Sequence, residues 1–200
     1  MTGYPTIKVF ASWLGESPED FRGPRDASGV VADAYRRLDA AGVSPDVPQL
    51  LARADLDARC GPGSVKICVV AALPHILDSG KAGREAYLQT LADVALAQRG
   101  KPFSVLWTAA GDHPALEAAL GFTFGYPAVA ALNVNKRAAA TMAGAVDAPG
   151  IVAFLDKVAR GKGVRALGEM PALETVSAWD GQEQAAEEEE FSLEDLGLDF

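Results

Sequence analysis

An internal repeat constrains the fold of this chain more than any other sequence feature. Residues 3–10 read GYPTIKVF, and residues 125–132 read GYPAVAAL. Each stretch is followed at similar spacing by a second motif, GPRDASGVVADAYRRL from Gly23 and GAVDAPGIVAFLDKVA from Gly144. Tyr-Pro before an apolar run favours an extended or cis junction into a strand, and the Asp of each second motif suits a helix N-cap. The repeat therefore predicts two copies of a strand–strand–helix unit, the first with its second strand at 10–15.

Only the second copy is preceded by enough chain to complete a larger domain. Apolar runs predict buried strands at 65–73 and 103–108, and amphipathic spacing predicts helices at 79–98 and 113–120. A weak strand or helix is predicted within 47–58. The resulting order, β–α–β–α–β–β–α, indicates an α/β fold with a central mixed sheet flanked by helices.

The formal net charge of −9 is concentrated at one end of the chain. Residues 166–200 contain eleven acidic residues and no Lys or Arg, so the remainder is close to neutral. A nearly neutral body without a basic stripe argues against a nucleic-acid surface. The longest apolar run, ICVVAALP, is far shorter than the roughly 20 residues of a membrane span. We therefore expect no nucleic-acid partner, no membrane partner, and an acidic, disordered tail over 166–200.

The two cysteines, Cys60 and Cys68, do not form a recognisable metal motif with His75 and His113. No metal site is predicted. Buried thiols, a local disulfide and a redox pair all remain open, and the redox state of the compartment favours one or another. The segment CGPG at 60–63 lacks a second sulfur and precedes the predicted central strand, so it is better interpreted as a turn.

Four segments resemble the protein disulfide-isomerase family. They are CVVAALPHILDSGKAGREAYL at 68–88, GFTFGYPAVAALN at 121–133, SAWDG at 177–181 and the closing SLEDLGL. They are similar to the type that has two catalytic thioredoxin domains, a non-catalytic third domain and an acidic tail. The earlier YPTIKVF and ESPEDFRGPR resemble the end of the preceding catalytic domain. The whole chain thus resembles the C-terminal part of such an isomerase, and we interpret it as a truncated form or fragment.

The resemblance implies three parts and a cellular setting. Residues 1–42 would be the C-terminal third of a thioredoxin domain, 46–163 a complete non-catalytic thioredoxin-like domain, and 166–200 the tail. The implied setting is the lumen of the endoplasmic reticulum, although no signal peptide or retention signal is visible in this chain. The implied role is chaperone support of oxidative folding, with unfolded or disulfide-containing client proteins as partners.

A catalytic thioredoxin domain places Cys-x-x-Cys directly after its first central strand, where the helix dipole lowers the thiol pKa. Here that position reads PHILDSG at 74–80 and contains no sulfur. We therefore predict no catalytic residue, and whether the chain is an enzyme stays open. The resemblance allows a structural disulfide between Cys60 and Cys68. The alternative function is an atypical oxidoreductase that uses this pair, which requires accessible sulfurs beside the positive end of a helix.

Tyr126, Pro127 and His75 are the candidate substrate-binding residues. In thioredoxin-like domains a cis proline at this point faces the substrate beside the helix start, and the alternative is that Pro127 only shapes the turn. His75 stands where a catalytic thiol would stand. Beyond Asp78 it has no identifiable partner for acid–base chemistry, so a packed or partly exposed histidine is the simpler interpretation. His113 is predicted to lie on the surface.

The carboxylates of Glu187–Glu190 favour a solvated tail of low apolar content. The resemblance also allows weak Ca²⁺ association there, because clustered carboxylates attract a hard cation, although no EF-hand-like loop is present. No other cofactor is expected.

Overall fold

The structure is a computed structural model, which describes residues 6–10, 17–123 and 125–184. Its elements are, in chain order, β1 (Lys8–Val9), β2 (Glu19–Asp20), α1 (Ala27–Ala40), α2 (Arg53–Cys60), β3 (Ile67–Leu73), α3 (Ile76–Ala97), β4 (Phe103–Ala109), α4 (Pro114–Leu120), β5 (Ala128–Asn133), β6 (Ala138–Thr141), α5 (Ala148–Ala159) and β7 (Arg165–Ala166). The Tyr4-Pro5 turn, most of the strand predicted at 10–15, and Glu187–Glu190 lie outside these residues. No helix in the described part is both long and apolar enough to cross a membrane.

The central sheet has five strands in the order β4-β3-β5-β6-β7. Strand β3 pairs in parallel with β4, with Ile67 opposite Phe103, and antiparallel with β5, with Cys68 opposite Leu132. Six of the seven residues of β3 are buried. A strand covered on both faces needs an uninterrupted apolar run instead of alternation, which is why this segment was recognisable from sequence. The predicted mixed sheet is confirmed.

Helices cover both faces of the sheet. On one face α3 and α5 contribute Leu91 and Leu155 to a core with Val69 of the central strand. On the other face α2 and α4 contribute Leu56 and Leu120 to a second core. The alternating side chains of β3 therefore feed two separate apolar layers, as expected for a sheet sandwiched between helices.

The two repeat copies share the same helix-capping geometry. The Asp26 side chain accepts a hydrogen bond from the Gly29 amide at 2.7 Å, and Asp147 accepts one from Gly150 at the same distance. This N-cap satisfies an amide that has no partner within the helix. In the first copy the strand predicted at 10–15 lies mostly outside the described residues, and β1 pairs with Glu19–Asp20. Their charged sequence gives no strand signal.

The chain after α5 stays attached to the domain instead of leaving it at residue 166. Strand β7 joins the sheet edge, and Leu167 is buried beyond it. Met170 and Leu173 pack against one core, and Trp179 packs against the other. A disordered tail was predicted from residue 166, whereas the structure shows the chain between 166 and 184 in contact with the domain. The apolar residues spaced among the acidic ones pack against the domain. The net charge of the segment does not indicate this packing.

Candidate functional site

Three chain segments converge at one edge of the sheet. Strands β3 and β4 run in parallel and end at Leu73 and Ala109, whereas antiparallel β5 begins at that edge, with Ala128 opposite Ala72. The start of α3, the loop after β4 and the turn before β5 therefore lie side by side. The carboxyl edge of parallel strands is where α/β folds place their binding sites. This edge is the candidate functional site.

His75 caps the first turn of α3 at this edge. Its Nδ1 accepts a hydrogen bond from the Leu77 amide at 3.3 Å, and its side chain is exposed. The helix begins earlier than the predicted residue 79 and is interrupted at Gly80, where φ is 61°. A positive φ strains residues that carry a Cβ, so glycine suits this position. The regular part of α3 therefore starts anew at Lys81.

Tyr126 and Pro127 lie at the same edge, joined by a cis peptide bond. The Tyr126 hydroxyl donates a hydrogen bond to Glu117 of α4, whose other carboxylate oxygen accepts from the Gly111 amide at 2.9 Å. Glu117 is buried, so its carboxylate needs these donors. It ties the loop after β4 to the turn before β5. The sequence did not reveal this role because Glu117 lies on an ordinary helix.

The Tyr126 hydroxyl is expected to ionise at unusually high pH. Partial desolvation of the hydroxyl, followed by its hydrogen bond to Glu117 and that carboxylate's charge, raises the pKa of Tyr126 to about 12. Because the folded-state pKa lies above the ordinary value of 10, this contact stabilises the fold below pH 10, and the contribution is lost as pH rises through 12.

An absorbance titration at about 295 nm tests this shift, because tyrosinate absorbs there. The wild-type chain should show a component near pH 12 that Tyr126→Phe lacks and that Glu117→Gln moves toward 10. An identical titration curve for wild type and Tyr126→Phe above pH 11 would contradict the assignment.

His113 is buried, so the prediction of a surface residue was wrong. Its Nε2 lies 2.9 Å from the Leu50 carbonyl oxygen. The residue precedes Pro114, which starts α4, and its ring points into the core beneath the segment before α2. The partner that makes this burial tolerable lies 63 residues away in sequence, so local sequence did not indicate it.

Arg84 is another buried polar residue at this edge that sequence reasoning missed. Its side chain is only 1% exposed, and its Nη2 donates to the Pro74 carbonyl oxygen at 2.7 Å. The guanidinium carbon lies 5.0 Å from the Trp107 ring and 5.7 Å from the Trp179 ring. Desolvation lowers the pKa of Arg84, opposed by the negative charge of Asp112. Arginine nevertheless stays protonated, so this is a buried cation between two aromatic rings.

The two cysteines lie at the opposite end of the sheet. Cys60 and Cys68 are joined by a disulfide of 2.05 Å, and both residues are fully buried. Cys60 is the last residue of α2, which is the negative end of the helix dipole and disfavours a thiolate. The alternative oxidoreductase needs accessible sulfurs beside a positive helix end. The geometry of this pair meets neither requirement.

The sheet order, the cis-proline turn and the long helix beside it define a thioredoxin-like domain. In this domain the N-cap of α3 is His75, at the position where a catalytic domain has a thiol. A family model described as "PDIA6-like, C-terminal thioredoxin-like domain" matches residues 38–163. The chain belongs to this protein disulfide-isomerase family. The family and the fold inferred from the sequence resemblance are thus confirmed.

Full-length relatives show the same similarity. The chain is 40% identical over 98% of its length to protein disulfide isomerase-like 2-3 of Oryza sativa subsp. japonica. It is 39% identical over 98% to protein disulfide-isomerase A6 of Homo sapiens. It spans 45% of the length of each relative. Among solved structures, the bb fragment of ERp72 aligns over 74% of this chain and 61% of its own, with a TM-score of 0.46 and 16% identity.

Proposed function

We propose that this chain is a redox-inactive thioredoxin-like module that binds protein clients for a protein disulfide-isomerase. The observation that carries the proposal is the separation of the sulfurs from the functional edge. Cys68 is near the start of β3 and His75 follows its end. At about 3.3 Å per strand residue, roughly 20 Å separates the two positions. The disulfide therefore supports the core, and the binding edge is left without thiol chemistry.

The functional edge exposes apolar side chains that suit an unfolded client. Leu77 of α3 is 50% exposed and Tyr126 is 38% exposed. A client that covers such side chains gains from their removal from water, and Tyr126 adds a hydroxyl already oriented by Glu117. The site residues Tyr126, Pro127 and His75 are thereby proposed to hold a client segment without reacting with it.

An insulin-reduction assay tests the redox-inactive part of the proposal. With dithiothreitol as the reductant, the wild-type chain should not raise the rate above the uncatalysed rate, because neither sulfur is accessible. The Cys60→Ala/Cys68→Ala variant should give the same rate. Turnover in the wild type that disappears in this variant would restore the oxidoreductase alternative.

Client binding is tested by replacing one exposed apolar residue at each end of the sheet. Leu77→Ser should weaken binding of a carboxymethylated, permanently unfolded protein about fivefold, since about 1 kcal/mol of apolar burial is lost. Val65→Ser is the matched control because Val65 is 86% exposed just before β3, at the opposite end. Calorimetric titration measures both affinities. An equal loss in the two variants would contradict a client site at the functional edge.

The proposed setting is the endoplasmic reticulum lumen, in line with a disulfide that needs an oxidising compartment. In the longer relatives the parent activity, thiol–disulfide exchange, would belong to sister domains, with residues 1–42 completing the preceding one. Weak Ca²⁺ binding by the acidic tail is part of the same proposal. Calorimetric titration with Ca²⁺, comparing wild type with a variant in which Glu187–Glu190 are changed to Gln, tests it.

A further inference from the structure

A segment from the C-terminal part of the chain lies across the functional edge in the manner of a bound peptide. We call residues 176–184 the strap. The Val176 amide donates to the Leu51 carbonyl oxygen at 2.9 Å, and the Trp179 amide donates to Gln49 Oε1 at 2.8 Å. Gln49 is itself bridged in parallel to Trp107 of β4. The strap is therefore attached, by one main-chain contact and one contact to a side chain, to a segment that is itself bridged to the sheet edge.

The aromatic residue of the strap occupies a defined recess. The Trp179 ring packs edge-on against Trp107, with centroids 6.4 Å apart, and lies over the Arg84 guanidinium. Arg84 is buried, and its Nε has no hydrogen-bond partner. The buried Arg84 cation beside the Trp107 ring suits an aromatic side chain such as that of Trp179. The free Nε–H of Arg84 can donate a further hydrogen bond to a ligand.

The acidic residue of the strap occupies the start of a helix. The Glu183 carboxylate accepts a hydrogen bond from the Lys81 amide at 2.7 Å. The break at Gly80 exposes this amide, because the regular helix begins again there. A Cβ at Gly80 would lie 3.2 Å from Glu183 Oε1, so glycine also leaves room for the carboxylate. An anion at a helix N-terminus is favoured by free amides and by the helix dipole.

The strap makes few contacts with the domain, and it does not fill the space between itself and the start of α3. It contains no helix or strand, and none of its residues is buried. A cavity of about 220 Å³ remains between strap residues, including Trp179, and the helix start at His75 and Ile76. Segments with little buried apolar surface open at low free-energy cost. An occupant with bulkier side chains would bury more surface in the same place.

We propose that the strap is a displaceable occupant of a peptide-binding groove. The groove takes an extended client segment that carries an aromatic residue and, four positions later, a carboxylate. This inference rests on the proposed client-binding function and names the site's ligand class and its regulation. A tethered occupant competes at a high effective concentration, so clients without this pattern are excluded while matching ones replace the strap.

Fluorescence anisotropy with a labelled peptide of residues 174–184 tests the groove in the full chain. Trp179→Ala/Glu183→Gln vacates the groove, so the peptide should bind this variant at least 10-fold more tightly than wild type. A peptide with alanine in place of its tryptophan should not bind the variant. Equal affinity for variant and wild type, or no binding to a variant that keeps its thermal unfolding midpoint, overturns the proposal.

Amide exchange in the wild-type chain keeps the inference testable if that variant unfolds. The Trp179 and Lys81 amides should exchange at least 100-fold faster than the Val70 amide in the middle of β3. Equal protection of these amides would show that the strap opens only by global unfolding and would overturn the proposal. Client binding that depends on Leu77 would then still support the proposed function, so the two failures are distinguishable.

Discussion

Replacing both Cys60 and Cys68 by alanine is expected to lower the free energy of unfolding by about 3 to 4 kcal/mol. The cross-link joins residues that are eight positions apart, and closing a loop this short removes about 2 to 3 kcal/mol of chain entropy from the unfolded state. Both sulfurs also lie in the core beside Leu56 and Leu132, so their removal leaves a void worth about 1 kcal/mol. Urea denaturation followed by circular dichroism measures the loss.

Reduced wild-type protein is the control that separates these two contributions. It keeps both sulfur atoms in the core and lacks only the cross-link, so it should lose about 2 to 3 kcal/mol. The double alanine variant should then be about 1 kcal/mol less stable than the reduced protein. A difference below 1 kcal/mol between oxidised and reduced wild type would show that the disulfide does not stabilise the domain.

The sequence predicted those parts of the fold in which local pattern and burial agree. The continuous apolar run of β3, rich in β-branched residues, favoured a strand covered on both faces, and Asp26 and Asp147 marked two helix starts that the structure shows capped alike. Strand β2 was not predicted, because Glu19 and Asp20 carry no strand signal. Its pairing with β1, of Lys8 with Asp20 and of Val9 with Glu19, is seen only in the folded chain.

The candidate site was only partly predictable for the same reason. The proline turn was found because it is a local motif, and the family resemblance placed His75 at the position of a catalytic thiol, although the helix was predicted to begin only at residue 79. Glu117 and His113 were not found, because the burial of each depends on a contact with another part of the fold, Tyr126 in the turn before β5 and Leu50 before α2. A polar residue in the core is recognised by its partner, and the partner is known only once the chain has folded.

The strap shows how composition can conceal a packed segment. Residues 166–184 belong to the acidic end of the chain, where net charge favours a solvated tail. Trp179 nevertheless reaches Trp107, and Glu183 finds the helix start at Lys81. These two contacts thus hold the segment against the domain despite its acidic composition. The SAWDG motif at 177–181 contains Trp179, the aromatic residue of the pair.

Arg84→Ala is expected to destabilise the domain by about 3 kcal/mol, the second large effect. The alanine would remove a methylene stem packed in the core, two cation–π contacts and the hydrogen bond to the Pro74 carbonyl oxygen. Arg53→Ala is the matched control, because Arg53 forms a half-exposed ion pair with Asp57 within one helix. Exposed pairs contribute roughly 0 to 1 kcal/mol, so its loss should be small.

Arg84→Met separates packing from charge. Methionine fills most of the space and avoids the cost of burying a cation, so we expect a loss of only about 1 kcal/mol in urea denaturation. The variant nevertheless lacks the cation over the Trp179 ring, so amide exchange at Trp179 should accelerate more than exchange at Val70. A methionine variant as unstable as the alanine variant would show that the charge, and not the packing of the stem, holds this edge together. A strap amide that exchanges no faster would show that the ring stacking on Arg84 does not hold the strap in place.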